Sequence, residues 1–153
     1  MIKAKKMRSI KRIFVHCTAG NQHQKIADLH AEFKRKGWKN PGYHYVIQAD
    51  GTITQLLGEQ FVSNGVKGYN STSINVAYMG GIATDGKAVD NRTPEQKESL
   101  LKLLKLLKKR YPKAEILGHR DISPDTNGNG IVDPWERIKE CPCFDAKEEY
   151  KEL

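Results

Sequence analysis

Short apolar runs alternate with polar, glycine-punctuated stretches along the chain, and the period of each run predicts its element. Arg12 to Cys17 reads Arg-Ile-Phe-Val-His-Cys, an apolar run of strand length that ends beside an imidazole. Lys25 to Lys36 places Ile26, Leu29 and Phe33 on one helical face, and Gly37 closes it before a Pro41-Gly42 turn. Tyr43 to Gln48 and Thr52 to Leu57 are two strands joined through Ala49-Asp50-Gly51, a hairpin signal. A Gly/Ser/Asn-rich loop covers 63–72, and Ser73 to Met79 is a further strand running into Gly80-Gly81.

The second half opens with the clearest helix start. Thr93 is the N-cap, Pro94 the first helical residue, and Gln96 completes a capping box. The helix is predicted to about Arg110, with leucines at 100, 101, 103, 104, 106 and 107 as a broad apolar face and Lys108, Lys109 and Arg110 at its negative end. Glu115 to Leu117 is a strand that delivers His119. This order predicts an α/β fold: a single mixed β-sheet with helices packed on its faces.

Composition narrows the class. A chain of 153 residues fits one domain, and 38% hydrophobic with 29% charged residues excludes wholesale disorder. The expected division is a basic extension over 1–10 and one domain over 11–153. Three cysteines make a poor disulfide framework and favour metal binding or free thiols. Only Ile13, Phe14 and Val15 separate the basic start from His16, so no signal-peptide apolar region is read there, and no later run has membrane-helix length. Cytoplasmic synthesis without membrane insertion, as a monomer, is the expectation. The net charge of +8 favours polyanions such as a bacterial wall. Neither basic cluster interleaves with aromatics, so nucleic acid is not an expected partner.

Two sets of residues carry metal chemistry. His16, His119 and one of Cys141 and Cys143 would supply zinc with three protein ligands and leave a fourth position for water. Such wide spacing suits an enzyme site more than a zinc finger. In an extended Cys-Pro-Cys only one thiol faces the metal, and spacing leaves the choice between them open. Between the second and third ligands, 125–136 fits a calcium loop. Asp125, Asn127 and Asn129 offer oxygens, Gly130 the turn, Ile131 its carbonyl and Glu136 the closing carboxylate, with Asp133 as a further donor. Pro134 and the low carboxylate count predict modest affinity.

Six motifs then occur in order: Val15-His16-Cys17-Thr18-Ala19, Gly42-Tyr43-His44-Tyr45, Val66-Lys67-Gly68-Tyr69-Asn70, Thr93-Pro94, Gly118-His119-Arg120-Asp121 and Cys141-Pro142-Cys143-Phe144-Asp145. Together they resemble the zinc-dependent N-acetylmuramoyl-L-alanine amidases, the family that includes the T-odd phage lysozyme and the peptidoglycan recognition proteins. The resemblance spans roughly residues 10 to 150. It implies the amidase fold, zinc held by His16, His119 and Cys141, and the calcium-like loop as an insertion. The implied reaction is hydrolysis of the amide between N-acetylmuramic acid and L-alanine in peptidoglycan. Tyr43 would orient water or share its proton, and Lys139 would stabilise the oxyanion.

Phage relatives tend to carry a histidine where this chain has Gly65, so Asn64 and Asn70 are expected to supply polar contacts to sugar or peptide. His44, on the opposite strand face from Tyr43, is expected chiefly to support the site from behind, with a substrate contact as the alternative. The reading is an endolysin that acts on the cell wall after release. Two rivals remain: a peptidoglycan-binding module without catalysis, against which the retained Cys141 argues, and a phage regulator of RNA polymerase.

Overall fold

The apolar run Arg12–Cys17 forms β1, one step in from the edge of a five-stranded sheet in the computed structural model, which describes residues 8–122 and 140–153. The other elements are α1 (Ile26–Arg35), β2 (Tyr45–Ile47), β3 (Ile53–Gln55), β4 (Ser73–Tyr78), α2 (Pro94–Arg110), β5 (Glu115–Gly118) and α3 (Ala146–Glu149). Strand order is β3-β2-β4-β1-β5. β1 runs parallel to both β4 and β5, β2 runs parallel to β4, and β2–β3 is an antiparallel hairpin. The sheet is therefore mixed, as the order of elements predicts.

Alternation along the central strands sorts their side chains into two layers. Ile13, Val15 and Cys17 of β1 join Ile74, Val76 and Tyr78 of β4 beneath Leu100, Leu103, Leu104 and Leu107 of α2. On the opposite face α1 lays Leu29 and Phe33 over Val46, Ala77 and Met79. His16 and Asn75 point to this second face, buried polar groups among apolar neighbours. The face of α2 is narrower than its six leucines suggest: Leu101 and Leu106 are exposed, because a 3.6-residue period cannot aim adjacent leucines the same way.

The predicted capping box forms. Thr93 Oγ1 accepts from the Gln96 N–H at 3.0 Å, and Gln96 Oε1 accepts from the Thr93 N–H at 2.9 Å. Gln96 Nε2 also donates to the carbonyls of Ile47 and Met79 at 3.1 and 3.0 Å, tying α2 to the ends of β2 and β4. The hairpin strands are shorter than predicted. Gly51 takes φ +90° in their turn, a conformation that favours glycine.

Two features at the termini fall outside the sequence reading. α3 follows the Cys-Pro-Cys segment, with the Asp145 carboxylate accepting from the Glu148 N–H at 3.1 Å. Arg8, assigned from sequence to a basic extension, is bound into the fold. Its guanidinium donates to the carbonyls of Glu59, Asn70, Ser71 and Ser73 at 2.8–3.2 Å, because five donors in one planar fork can tie several loop carbonyls together. Among the described residues, no helix is long and apolar enough to cross a membrane.

Candidate active site

Parallel pairing brings the two histidines together. Register matches Arg12 with Glu115 and Val15 with Gly118, so His16, still on β1, and His119, which opens the 3-10 turn after β5, come next, and their rings lie 5.0 Å apart, edge to face. Cys141 arrives from the far end of the chain. Its position depends on docking between two of the sequence motifs. The Arg120 N–H donates to the Cys141 carbonyl at 2.8 Å, and Tyr78 Oη donates to the Pro142 carbonyl at 2.6 Å. A Cβ on Gly118 would stand 2.7 Å from Pro142 Cδ, so glycine there permits the close approach. The Gly118 N–H is taken by the Asp121 carboxylate at 2.7 Å.

The potential ligand atoms of His16, His119 and Cys141 all lie within 4.8 Å of one another. His16 Nε2 meets the Asn75 side-chain oxygen at 2.8 Å, and Nδ1 faces Cys141 Sγ at 3.8 Å. Zinc bonds of about 2.0 Å to nitrogen and 2.3 Å to sulfur at a tetrahedral angle put those donors about 3.6 Å apart. The donor set and its spacing therefore fit zinc. The Cys17 N–H donates to Cys141 Sγ at 3.1 Å.

The other two thiols sit differently. Cys17 is buried in the α2-side core, and Cys143 Sγ lies 3.9 Å from Cys17 Sγ. Contact with Cys141 is the largest influence raising the Cys17 thiol, to about 12, and contact with Cys17, then burial, pushes Cys143 up as well. The Cys-Pro-Cys segment is not extended: Cys143 has φ +73° in a turn. The turn, rather than strand alternation, separates the two late thiols.

These groups open onto a cleft of about 190 Å³ whose walls include Tyr43, Phe33, Trp38 and Asn64. Tyr43 packs its ring 5.2 Å from that of His16 and 5.7 Å from that of Phe33. Burial first, then the neighbouring Cys141 and Cys17, holds its phenol well above the usual range. It stays protonated at neutral pH, and its hydroxyl reaches the Cys17 carbonyl at 3.4 Å. Trp38, 36% exposed, stacks on Phe33.

The predicted polar contacts divide. Asn64 lines the cleft, with Nδ2 donating to the Asn40 carbonyl at 2.8 Å. Asn70 faces inward, and its side-chain oxygen accepts from the Val66 N–H at 2.7 Å, which clamps the 66–70 loop. His44 does not reach the cleft. It is fully buried, its Nδ1 accepting from the Asn75 N–H and Ser63 Oγ and its Nε2 donating to the Phe61 carbonyl. Burial, helped by Arg8, lowers its pKa to about 4, so it is a neutral support. Tyr43 and His44 both precede β2, so strand alternation does not set their directions. Lys139 and the calcium-loop residues Asp125, Asn127, Asn129, Ile131 and Glu136 lie outside the described residues.

Sequence reasoning missed Asn75. Its signal is an asparagine inside Ser-Ile-Asn-Val-Ala-Tyr, where a central strand disfavours one.

Comparison with known proteins gives the family. The endolysin of Enterobacteria phage K11 is 35% identical over 144 residues, covering 93% of this chain and 86% of that protein. The solved structure of N-acetylmuramoyl-L-alanine amidase LysC from Clostridium intestinale superposes with a TM-score of 0.72 at 25% identity, over 93% of this chain and 82% of that one. Drosophila PGRP-LB shares the fold, with a TM-score of 0.66 at 17% identity over 95% of this chain and 80% of its own. The N-acetylmuramoyl-L-alanine amidase family profile matches residues 6–142. With those matches and a His-His-Cys cluster at the ends of parallel strands, the chain belongs to the N-acetylmuramoyl-L-alanine amidase family.

Proposed function

We propose that the chain is a zinc-dependent endolysin-type amidase that cuts peptidoglycan between N-acetylmuramic acid and L-alanine. The observation that carries this reading is the convergence of His16, His119 and Cys141 on the cleft wall that also holds Tyr43. Zinc bound by those three residues would polarise the scissile carbonyl and acidify a water. The chain's own residues do the remaining work. His16 and Cys141 are held by Asn75 and by the Cys17 N–H, so neither needs to reorganise. Tyr43 keeps its proton beside His16 and can orient the attacking water or share a proton with it. Trp38, with Phe33 stacked on its ring and the Lys36 ammonium 4.8 Å from its centre, offers partly exposed aromatic surface beside the cleft. Lys139 keeps the oxyanion-stabilising role that the family resemblance implies.

The metal-free protein should lose muramyl-peptide hydrolysis and regain it with one equivalent of zinc. Tyr43→Phe should keep its zinc and lose roughly 10²-fold or more in kcat. Full activity without metal, or in the Tyr43→Phe protein, refutes the corresponding assignment. A cleft that binds muramyl peptide tightly without cutting it, with zinc loaded, would instead mark a recognition module.

A further inference from the structure

Asn75 is fully buried in the middle of β4, where an unpaired amide would be costly. Each end of this one is engaged, and the partners fix which way it points. The Val66 N–H donates to the Asn70 side chain at 2.7 Å, so the atom receiving it is the oxygen. That oxygen lies 3.4 Å from the Asn75 side chain, whose facing atom must then be the nitrogen. The same nitrogen donates to Ser63 Oγ at 2.7 Å. Ser63 in turn donates to His44 Nδ1, which already accepts from a backbone N–H. The opposite end of the Asn75 amide is therefore its oxygen, 2.8 Å from His16 Nε2. An oxygen acceptor there requires the His16 proton on Nε2 and leaves the lone pair on Nδ1, the atom that faces Cys141.

Gly65 completes the arrangement. Its φ lies outside the left-handed region, so its backbone does not call for glycine. Space does: a Cβ at 65 would stand 2.3 Å from Asn75 Cγ and 2.4 Å from its oxygen. The amide cannot swing aside cheaply, being held at both ends. A histidine, or any side chain, at 65 is incompatible with Asn75 in this position.

We propose that Asn75 is a positioning residue for the metal site: its oxygen holds the Nε2 proton of His16 and presents Nδ1 to zinc, and Gly65 lacks a side chain so that this amide can fit. The proposal rests on the zinc reading given above. A buried acceptor behind a ligating imidazole fixes both its tautomer and its ring orientation, and removing such a partner typically costs 10–100-fold in metal affinity.

The test is a zinc competition titration of the full-length protein against a chromogenic chelator, alongside melting of the metal-free forms. Asn75→Leu, similar in size without the acceptor, should bind zinc about 10–100-fold more weakly. Asn75→Asp, which keeps an acceptor, should recover most of the loss. Gly65→Ala should weaken zinc binding in the presence of Asn75 and add nothing in an Asn75→Ala background. Nitrogen NMR of the zinc-loaded wild type needs no variant and should place the His16 proton on Nε2.

Metal at Nε2, or wild-type zinc affinity in both Asn75→Leu and Gly65→Ala, overturns the proposal while leaving the zinc assignment standing. A wild-type protein that takes up no zinc overturns both.

Discussion

Arg92 offers a sharp test of how the end of the chain is secured. Its side chain is 2% exposed and grips Glu149 through two hydrogen bonds of 2.8 and 3.0 Å. It binds Asp90 through two of 2.9 Å and lies 3.4 Å over the Phe144 ring. Arg92→Met keeps much of the stem and removes the guanidinium. A fully buried pair broken on one side would cost about 3–5 kcal/mol. Here Asp90 and Glu149 retain 28% and 43% exposure, so water can reclaim both carboxylates. That discount, with about 1 kcal/mol for the cation–π contact, leaves a loss of about 2–3 kcal/mol. For a domain of this size the melting temperature should fall by about 5–10 °C.

The acid dependence gives a second check. Arg92 holds Glu149 below the usual carboxylate range, and it does so for Asp90 against the opposing effect of burial. A depressed carboxylate contributes stability above its unfolded pKa, about 4, and that contribution is lost as pH falls through the folded value. The gap between wild type and Arg92→Met should therefore be full at pH 7 and shrink toward the cation–π remainder below about pH 3. Urea titrations at several pH values read both quantities. A loss under about 1 kcal/mol at pH 7, or one undiminished in acid, refutes the reasoning.

Other expectations follow from the same contacts. Cys141→Ser should abolish stoichiometric zinc, whereas Cys143→Ser should retain it; elemental analysis of both purified proteins decides, and the reverse pattern would reassign the ligand. Gly118→Ala forces a Cβ to 2.7 Å from Pro142, and should cost about 1–3 kcal/mol in a urea titration while weakening zinc binding. A neutral effect would show that the Cys-Pro turn can retreat. If the 125–136 loop holds calcium, adding it should raise the melting temperature of the zinc-loaded protein. An unchanged melt with no calcium found by elemental analysis sinks that reading.

How far the sequence speaks depends on the range of the interaction involved. β1 and α2 were legible because their signals are local: an apolar run ending at His16, and a Thr-Pro-x-Gln start whose caps form between residues three apart. The clustering of His16, His119 and Cys141 was legible only as a candidate set, since few residue types bind zinc, and its assembly needs a register between β1 and β5 that no local pattern states. His44 reads from sequence chiefly as a support behind the site, which holds, and only secondarily as a substrate contact, which does not. Its burial depends on Ser63, Phe61 and Arg8 arriving from elsewhere. Gly65 looked like a missing side chain for a similar reason. The amide that fills its space belongs to a strand ten residues on.

The distance between neighbouring strands has a consequence of its own. His16 sits on β1 and His119 is the first residue past the end of β5, so their separation is gauged by the last paired step of the backbone ladder, Val15 with Gly118, at about 4.8 Å per strand. β4 pairs with β1 along its other side. Much of the gap between the two imidazoles is thus set by where the paired backbones of β1 and β5 end. In the proposed zinc site a larger ion, such as cadmium, would be accommodated by moving the Cys141 turn, which lies outside the strand ladder.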